Sequence, residues 1–130
     1  MSVYADAQSA YTTSSILTAS PERLVVMLYD SAIRFVGQAA TAIESGNLRL
    51  ANERVQRVDA ILDELNVSLD MSHGELPERL RSIYLFCKRH LVESLLAKDP
   101  DGLRTVAGLL SELRDAWEQV VGRPGAALAS

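Results

Sequence analysis

The chain has 130 residues, a net charge of −4 and a single cysteine. That length suits one domain with a core that needs no cross-links, Cys87 has no partner for an internal disulfide, and the acidic balance argues against nucleic acid as a partner. The opening residues carry no basic run followed by an apolar stretch, and no apolar run is long enough to span a bilayer, so the expectation is a cytoplasmic chain without membrane insertion.

Residues 1–19 are small and polar, with Tyr4, Tyr11, Ile16 and Leu17 as isolated apolar groups. Two readings stay open for this arm: a frayed terminus, or a mobile segment that docks on the body of the protein. A first helix is expected from Pro21 to about Glu44. Ser20 is placed to cap it, proline suits the first helical position, and Glu22 meets the positive end of the helix dipole. Leu24, Leu28, Ala32, Phe35, Ala39 and Ile43 recur at three and four and form its stripe. Gly46 then stops the helix and Asn47 can cap the next.

The second helix reads from Leu48 to about Leu69, on the stripe Ala51, Val55, Val58, Leu62, Leu65 and Leu69. The stretch DMSHGELP, with its glycine and proline, reads as a turn. The third helix is expected from about Pro77 to Ala97, with Leu80, Ile83 or Tyr84, Cys87, Leu91 and Leu95 facing inward. After KDPDGL, where Asp99 can cap and Pro100 can begin a helix, the fourth carries Leu103, Val106, Leu110, Leu113, Trp117 and Val120 at strictly alternating spacings of three and four, to about residue 121. Residues 122–130 read as a flexible tail. Four such stripes joined by short turns predict an all-α fold, an antiparallel four-helix bundle with a mobile N-terminal arm.

The chemistry of enzymes is hard to place on this chain. A metal site in such a bundle needs paired Glu-x-x-His sets, and none is present; Asp70 with His73, and Cys87 with His90, make incomplete sets. No glycine-rich phosphate loop occurs, and the basic residues Arg79, Arg81, Lys88 and Arg89 read as a solvated helix face. We therefore expect no enzyme, no metal and no cofactor. What remains is apolar surface. Val25, Val26, Met27 and Tyr29 do not fit one stripe, and Tyr84, Leu85, Phe86 and Cys87 are consecutive, so some must point away from the seam. The arm, a second copy of the chain or an amphipathic segment of another protein would each cover such surface.

At this point the sequence resembles the flagellar export chaperones for flagellin, the FliS family. The resemblance runs over about residues 11–120. It is carried by TASPERLVVMLYDSAIRF, preceded by the tyrosine-bearing AYTTSSI and followed by AIESGN, then by ILDELNVSLD, YLFCKRHLVESLLAKD and LLSELRDAWEQV in the family's order and spacing. It implies a helical bundle that binds the C-terminal segment of newly made flagellin in the cytoplasm, prevents premature polymerisation and presents the subunit for export. It also implies that the N-terminal arm shields part of the site when no partner is bound. The third helix departs from the family pattern: Phe86 and Cys87 replace more typical residues, and Ser94-Leu95 stands where Ala-Asn is usual. A greasier surface is expected there. Candidate partner contacts are Tyr11, Ile16, Val25, Tyr29, Leu85 and Phe86. Export apparatus or regulatory proteins are further candidate partners. The competing readings are a homodimeric structural bundle and a motility-related regulatory adaptor.

Overall fold

The computed structural model describes residues 20–72 and 74–121. The arm with Tyr11 and Ile16, the residue His73, the side chain of Val120 and the tail 122–130 lie outside the described residues. Four α-helices follow one another: α1 Pro21–Glu44, α2 Leu48–Val67, α3 Glu75–Leu96 and α4 Pro100–Val121. Among the described residues there is no strand. The helices form the expected all-α bundle. Helix α1 packs along α2 and α4, and α3 closes the bundle against the same two neighbours, so α1 and α3 occupy opposite corners.

Two of the three junctions use the same device. At the end of α1 the Asn47 N–H donates to the Ala42 carbonyl at 2.8 Å and the Gly46 N–H to that of Ile43 at 3.0 Å, with Gly46 at φ +80°. This pairing satisfies carbonyls that the helix end leaves open, and the left-handed backbone it demands is the reason for glycine. Asn47 then turns its own side chain to the next helix and accepts from the Leu50 N–H at 3.1 Å. At the end of α3, the Asp99 N–H reaches the Ser94 carbonyl at 2.8 Å and the Lys98 N–H that of Leu95 at 3.1 Å. Asp99 then accepts from the Asp101 N–H at 3.1 Å as the cap of α4. Here the left-handed position is held by Lys98, at φ +53°.

The junction between α2 and α3 departs from the sequence reading. Helix α2 stops at Val67, two residues early, and Leu69 packs on the core from outside the helix. Helix α3 begins at Glu75, so Pro77 lies inside its first turn. Proline is tolerated there because the first N–H groups of a helix have no intrahelical partner.

The core draws on all four helices, with Leu28, Ala32 and Val36 of α1 meeting Val58, Ile61 and Leu62 of α2, Cys87 and Leu91 of α3, and Leu103, Val106, Leu110 and Trp117 of α4. The register of α1 against α4 is marked by three ion pairs: Arg23 with Glu118 at 2.9 Å, Asp30 with Arg114 at 2.8 Å and Glu44 with Arg104 at 2.7 Å. Their descending α4 numbers follow ascending α1 numbers, as antiparallel packing requires. All are partly exposed, so each specifies alignment more than it stabilises.

Candidate functional site

The apolar excess of α1 is largely used by the bundle. Val26, Leu28 and Tyr29 are buried in the core cluster, because α1 is flanked on two sides and buries a wide arc. Tyr29 is therefore placed as a core residue rather than a surface contact. Its hydroxyl bonds to that of Tyr84 across the bundle. Burial pushes the Tyr29 phenol well above its ordinary range, with Tyr84 adding to the rise and a hydrogen bond from Trp117 opposing it. Burial likewise pushes Tyr84 up to about 12, which the hydrogen bond from Tyr29 opposes. The Cys87 thiol, buried on the same face of α3, is pushed up to about 11 by desolvation, which keeps it in the inert thiol form. Val25 lies at the edge of the core, half-buried against it.

Helix α3 supplies the uncovered surface. Leu80, Tyr84, Cys87 and Leu91 face inward, whereas Leu85 is 50% exposed, Val92 50% and Leu96 78%. These three are spaced by seven and four, so they form one stripe on the flank toward α2. A groove of about 360 Å³ runs beside it, floored by Val55, Leu91 and Leu95 and rimmed by Val92 and Leu96. It continues past Lys88 to a shallower hollow at Leu85 and Arg89. Lys88 crosses the groove to pair with Asp63, and with Asp59 at 3.4 Å. The hydrogen bond from Lys88 to Asp63 and the second carboxylate raise the ammonium pKa, so the lysine stays charged and tethered.

Phe86 is also exposed, at 43%, but lies on the other flank, one residue and about 100° round the helix from Leu85. Its ring stacks on His90, with centroids 5.4 Å apart and planes 11° from parallel. Leu85 and Phe86 therefore belong to different patches. Val92 and Leu96 were missed in the sequence reading; the signal that finds them is the seven-and-four spacing from Leu85, outside the core stripe. Leu95 packs against the core, as its spacing predicts, and also floors the groove.

No three histidine, cysteine, aspartate or glutamate side chains among the described residues lie close enough to hold a metal ion. No described helix is long and apolar enough to cross a membrane. The surface that α3 offers is apolar and left uncovered by the bundle.

Comparison with known proteins agrees in kind. A family model described as flagellar protein FliS matches residues 4–124. The chain belongs to the FliS family. The flagellar secretion chaperone FliS of Bacillus subtilis (strain 168) is 34% identical over 113 residues, covering 87% of this chain and 84% of that protein. The protein of the same name from Salmonella typhimurium is 31% identical over 109 residues, covering 82% of this chain and 81% of its own length. That of Vibrio cholerae is 29% identical over 108 residues, with 82% and 79% covered. These FliS relatives are named as chaperones, not as enzymes, and a chaperone implies a protein client.

Proposed function

We propose that this FliS-family chain is a cytoplasmic export chaperone that binds the C-terminal segment of flagellin, prevents its premature polymerisation and keeps it competent for export. The observation that carries the reading is the Leu85–Val92–Leu96 stripe beside the α2–α3 groove, apolar surface that the bundle leaves uncovered. The family supports a flagellar client, and the shape of the surface supports an extended one. A client that is unfolded alone loses about 1–2 kcal/mol of backbone entropy for each residue ordered. A small pocket cannot offset that, whereas a stripe running along a helix lets an amphipathic segment bury apolar groups over several turns. The contact set then contains Leu85, Val92 and Leu96, with Phe86 on the second flank, Val25 at the edge of α1 and the arm residues Tyr11 and Ile16. Tyr29 leaves the set because it is core.

The test is titration with a peptide from the C-terminal region of flagellin, followed by calorimetry and circular dichroism. One-to-one binding with a gain of helix is expected. Val92→Asp should keep the bundle folded, since the residue is half exposed, and should weaken binding at least about tenfold, because the complex would bury an unpaired charge. A wild-type protein that ignores the peptide overturns the reading. Self-association that scales with protein concentration and fails in Val92→Asp would turn the stripe into a homodimer interface.

A further inference from the structure

The uncovered stripe of α3 is interrupted once. Leu85, Lys88, Val92 and Leu96 follow one another at spacings of three, four and four, so all four share one flank of the helix. A seam for a partner helix calls for an apolar side chain at each such position, and the second of them is lysine. The interruption is fixed in place. The Lys88 side chain is partly buried and reaches across to α2, where its ammonium donates to the Asp63 carboxylate and lies 3.4 Å from that of Asp59.

This bridge divides the groove. On one side lies the hollow over Val55, Leu91 and Leu95, on the other the shallower hollow at Leu85 and Arg89. Asp59, Lys88 and Val92 line both, so the ion bridge is the sill between them. Two carboxylates on the sill share one ammonium, which leaves one negative charge in excess. A carboxylate can accept several hydrogen bonds, so acceptor sites remain after Lys88 has taken its own. An apolar side chain laid over the sill would strip water from those acceptors and leave them without a partner. A hydroxyl or amide laid there would donate to them.

We propose that Lys88 sets the register of the bound client: the segment lies along α3 with apolar side chains over Leu85 and over Val92 and Leu96, and meets the Lys88 bridge with a hydrogen-bond donor. The inference rests on the client reading given above and adds what the segment must look like. Leu85 and Val92 stand about 10 Å apart along the helix axis, nearly two turns, so a helical client matches them with two apolar anchors seven residues apart. Its donor falls three or four residues after the first anchor, as Lys88 falls three after Leu85. One polar position in an otherwise apolar seam lowers affinity and fixes alignment, because a client shifted by a turn puts an apolar group on the sill and the donor in a hollow. A carboxylate at the crossing is also rejected, since it meets the excess negative charge. Segments with an unbroken apolar stripe, which would suit a plain groove best, are disfavoured.

The test uses the full chain and the flagellin C-terminal peptide, each peptide position replaced in turn by leucine, glutamine and glutamate. For the wild type, one position, three or four residues from an apolar anchor, should accept glutamine and lose at least about tenfold in affinity with leucine or glutamate. Lys88→Met joins the two hollows, and the carboxylates left behind are exposed enough to turn to water. With that variant the leucine peptide should gain at least about tenfold and overtake the glutamine peptide at this position, while replacements elsewhere keep their wild-type effects. Lys88→Arg keeps the bridge and should keep the wild-type order. Circular dichroism checks that both variants hold the wild-type helicity. If Lys88→Met ranks the whole peptide set as the wild type does, the register proposal is overturned and the client reading stands. If the wild type binds no member of the set, both are overturned.

Discussion

The hydroxyls of Tyr29 and Tyr84 meet at 2.5 Å across a diagonal of the bundle, joining two helices that stand at opposite corners. Their rings are 6.5 Å apart and tilted by 48°. Both side chains are buried, so the hydroxyls pair with each other in place of water, and that of Tyr29 also takes a hydrogen bond from Trp117. The pair ties α1 to α3, while the apolar seams tie each of them to α2 and α4.

Removing one hydroxyl should therefore cost more than removing both. Tyr29→Phe strands the Tyr84 hydroxyl, and Tyr84→Phe leaves the Tyr29 hydroxyl with Trp117 alone; either should lose about 1–3 kcal/mol in denaturant unfolding, the first more than the second. The double phenylalanine variant leaves no orphaned hydroxyl and should lose less than the sum of the singles. Additive losses would show that the two hydroxyls do not depend on one another.

The same burial predicts a response to alkali. A tyrosine freed by unfolding ionises near its ordinary value of 10.0, whereas in the fold Tyr84 is pushed up to about 12 and Tyr29 is also raised, both chiefly by desolvation. Folded pKa values above unfolded ones contribute stability that is complete below pH 10 and lost as pH rises toward the folded values. Unfolding free energy should fall by about 1.4 kcal/mol per pH unit for each phenol above its unfolded pKa. The double phenylalanine variant should lose that part of the slope. An unchanged slope would assign the alkaline transition to other groups.

Lys98 holds a backbone position that side chains disfavour, φ +53°, at the end of α3. The equivalent place at the end of α1 is glycine. Lys98→Gly should stabilise the protein by up to about 1 kcal/mol, as relief of the left-handed strain exceeds the added freedom of the unfolded chain. A thermal melt decides the sign, and a loss would mean that the lysine side chain makes up the difference.

Much of this architecture was legible in the sequence, because caps and apolar spacing act locally. Ser20 caps α1 by accepting from the Arg23 N–H at 3.1 Å, and Trp117 is buried at the seam position its spacing assigned. The α2–α3 junction was misjudged because proline in a first helical turn looks, in sequence, like a break. Tyr29 was misplaced for a different reason. A single stripe describes a helix with one neighbour, and α1 has neighbours on two sides and a tyrosine reaching it from the third. The groove on α3 was half visible: Leu85 and Phe86 were singled out by being consecutive, but only the packing against α2 shows that they face apart.

Gly102 sits in the first turn of α4, against the end of α3. A Cβ there would collide with the Ser94 hydroxyl and come within 3.0 Å of the Ser94 Cβ and of the Asp99 carboxylate. The start of α4 rests directly on the last turn of α3, and Ser94 is buried beneath it. Gly102→Ala should destabilise by about 1–3 kcal/mol through overpacking. Adding Ser94→Gly should recover part of the loss. Failure of the second change to help would place the strain on the Asp99 side.

The two flanks of α3 separate by substitution. Leu85, Val92 and Leu96 line the α2 side, while Phe86 with His90 forms the other. An aspartate at Val92 or Leu96 lies on the groove rim and should weaken the flagellin segment at least about tenfold, as an unpaired charge in the buried centre of a complex does. Phe86→Asp removes the stack on His90 without touching the groove. If the client wraps over both flanks, Phe86→Asp weakens it too, and the loss adds to that of Val92→Asp because the sites are on different sides of the helix. If the client keeps to the α2–α3 groove, Phe86→Asp binds as the wild type does. All three positions are exposed, so helicity and melting temperature should stay within the range of ordinary surface changes. A Val92→Asp variant that is folded and binds normally would remove the groove from the client site, whatever Phe86→Asp does.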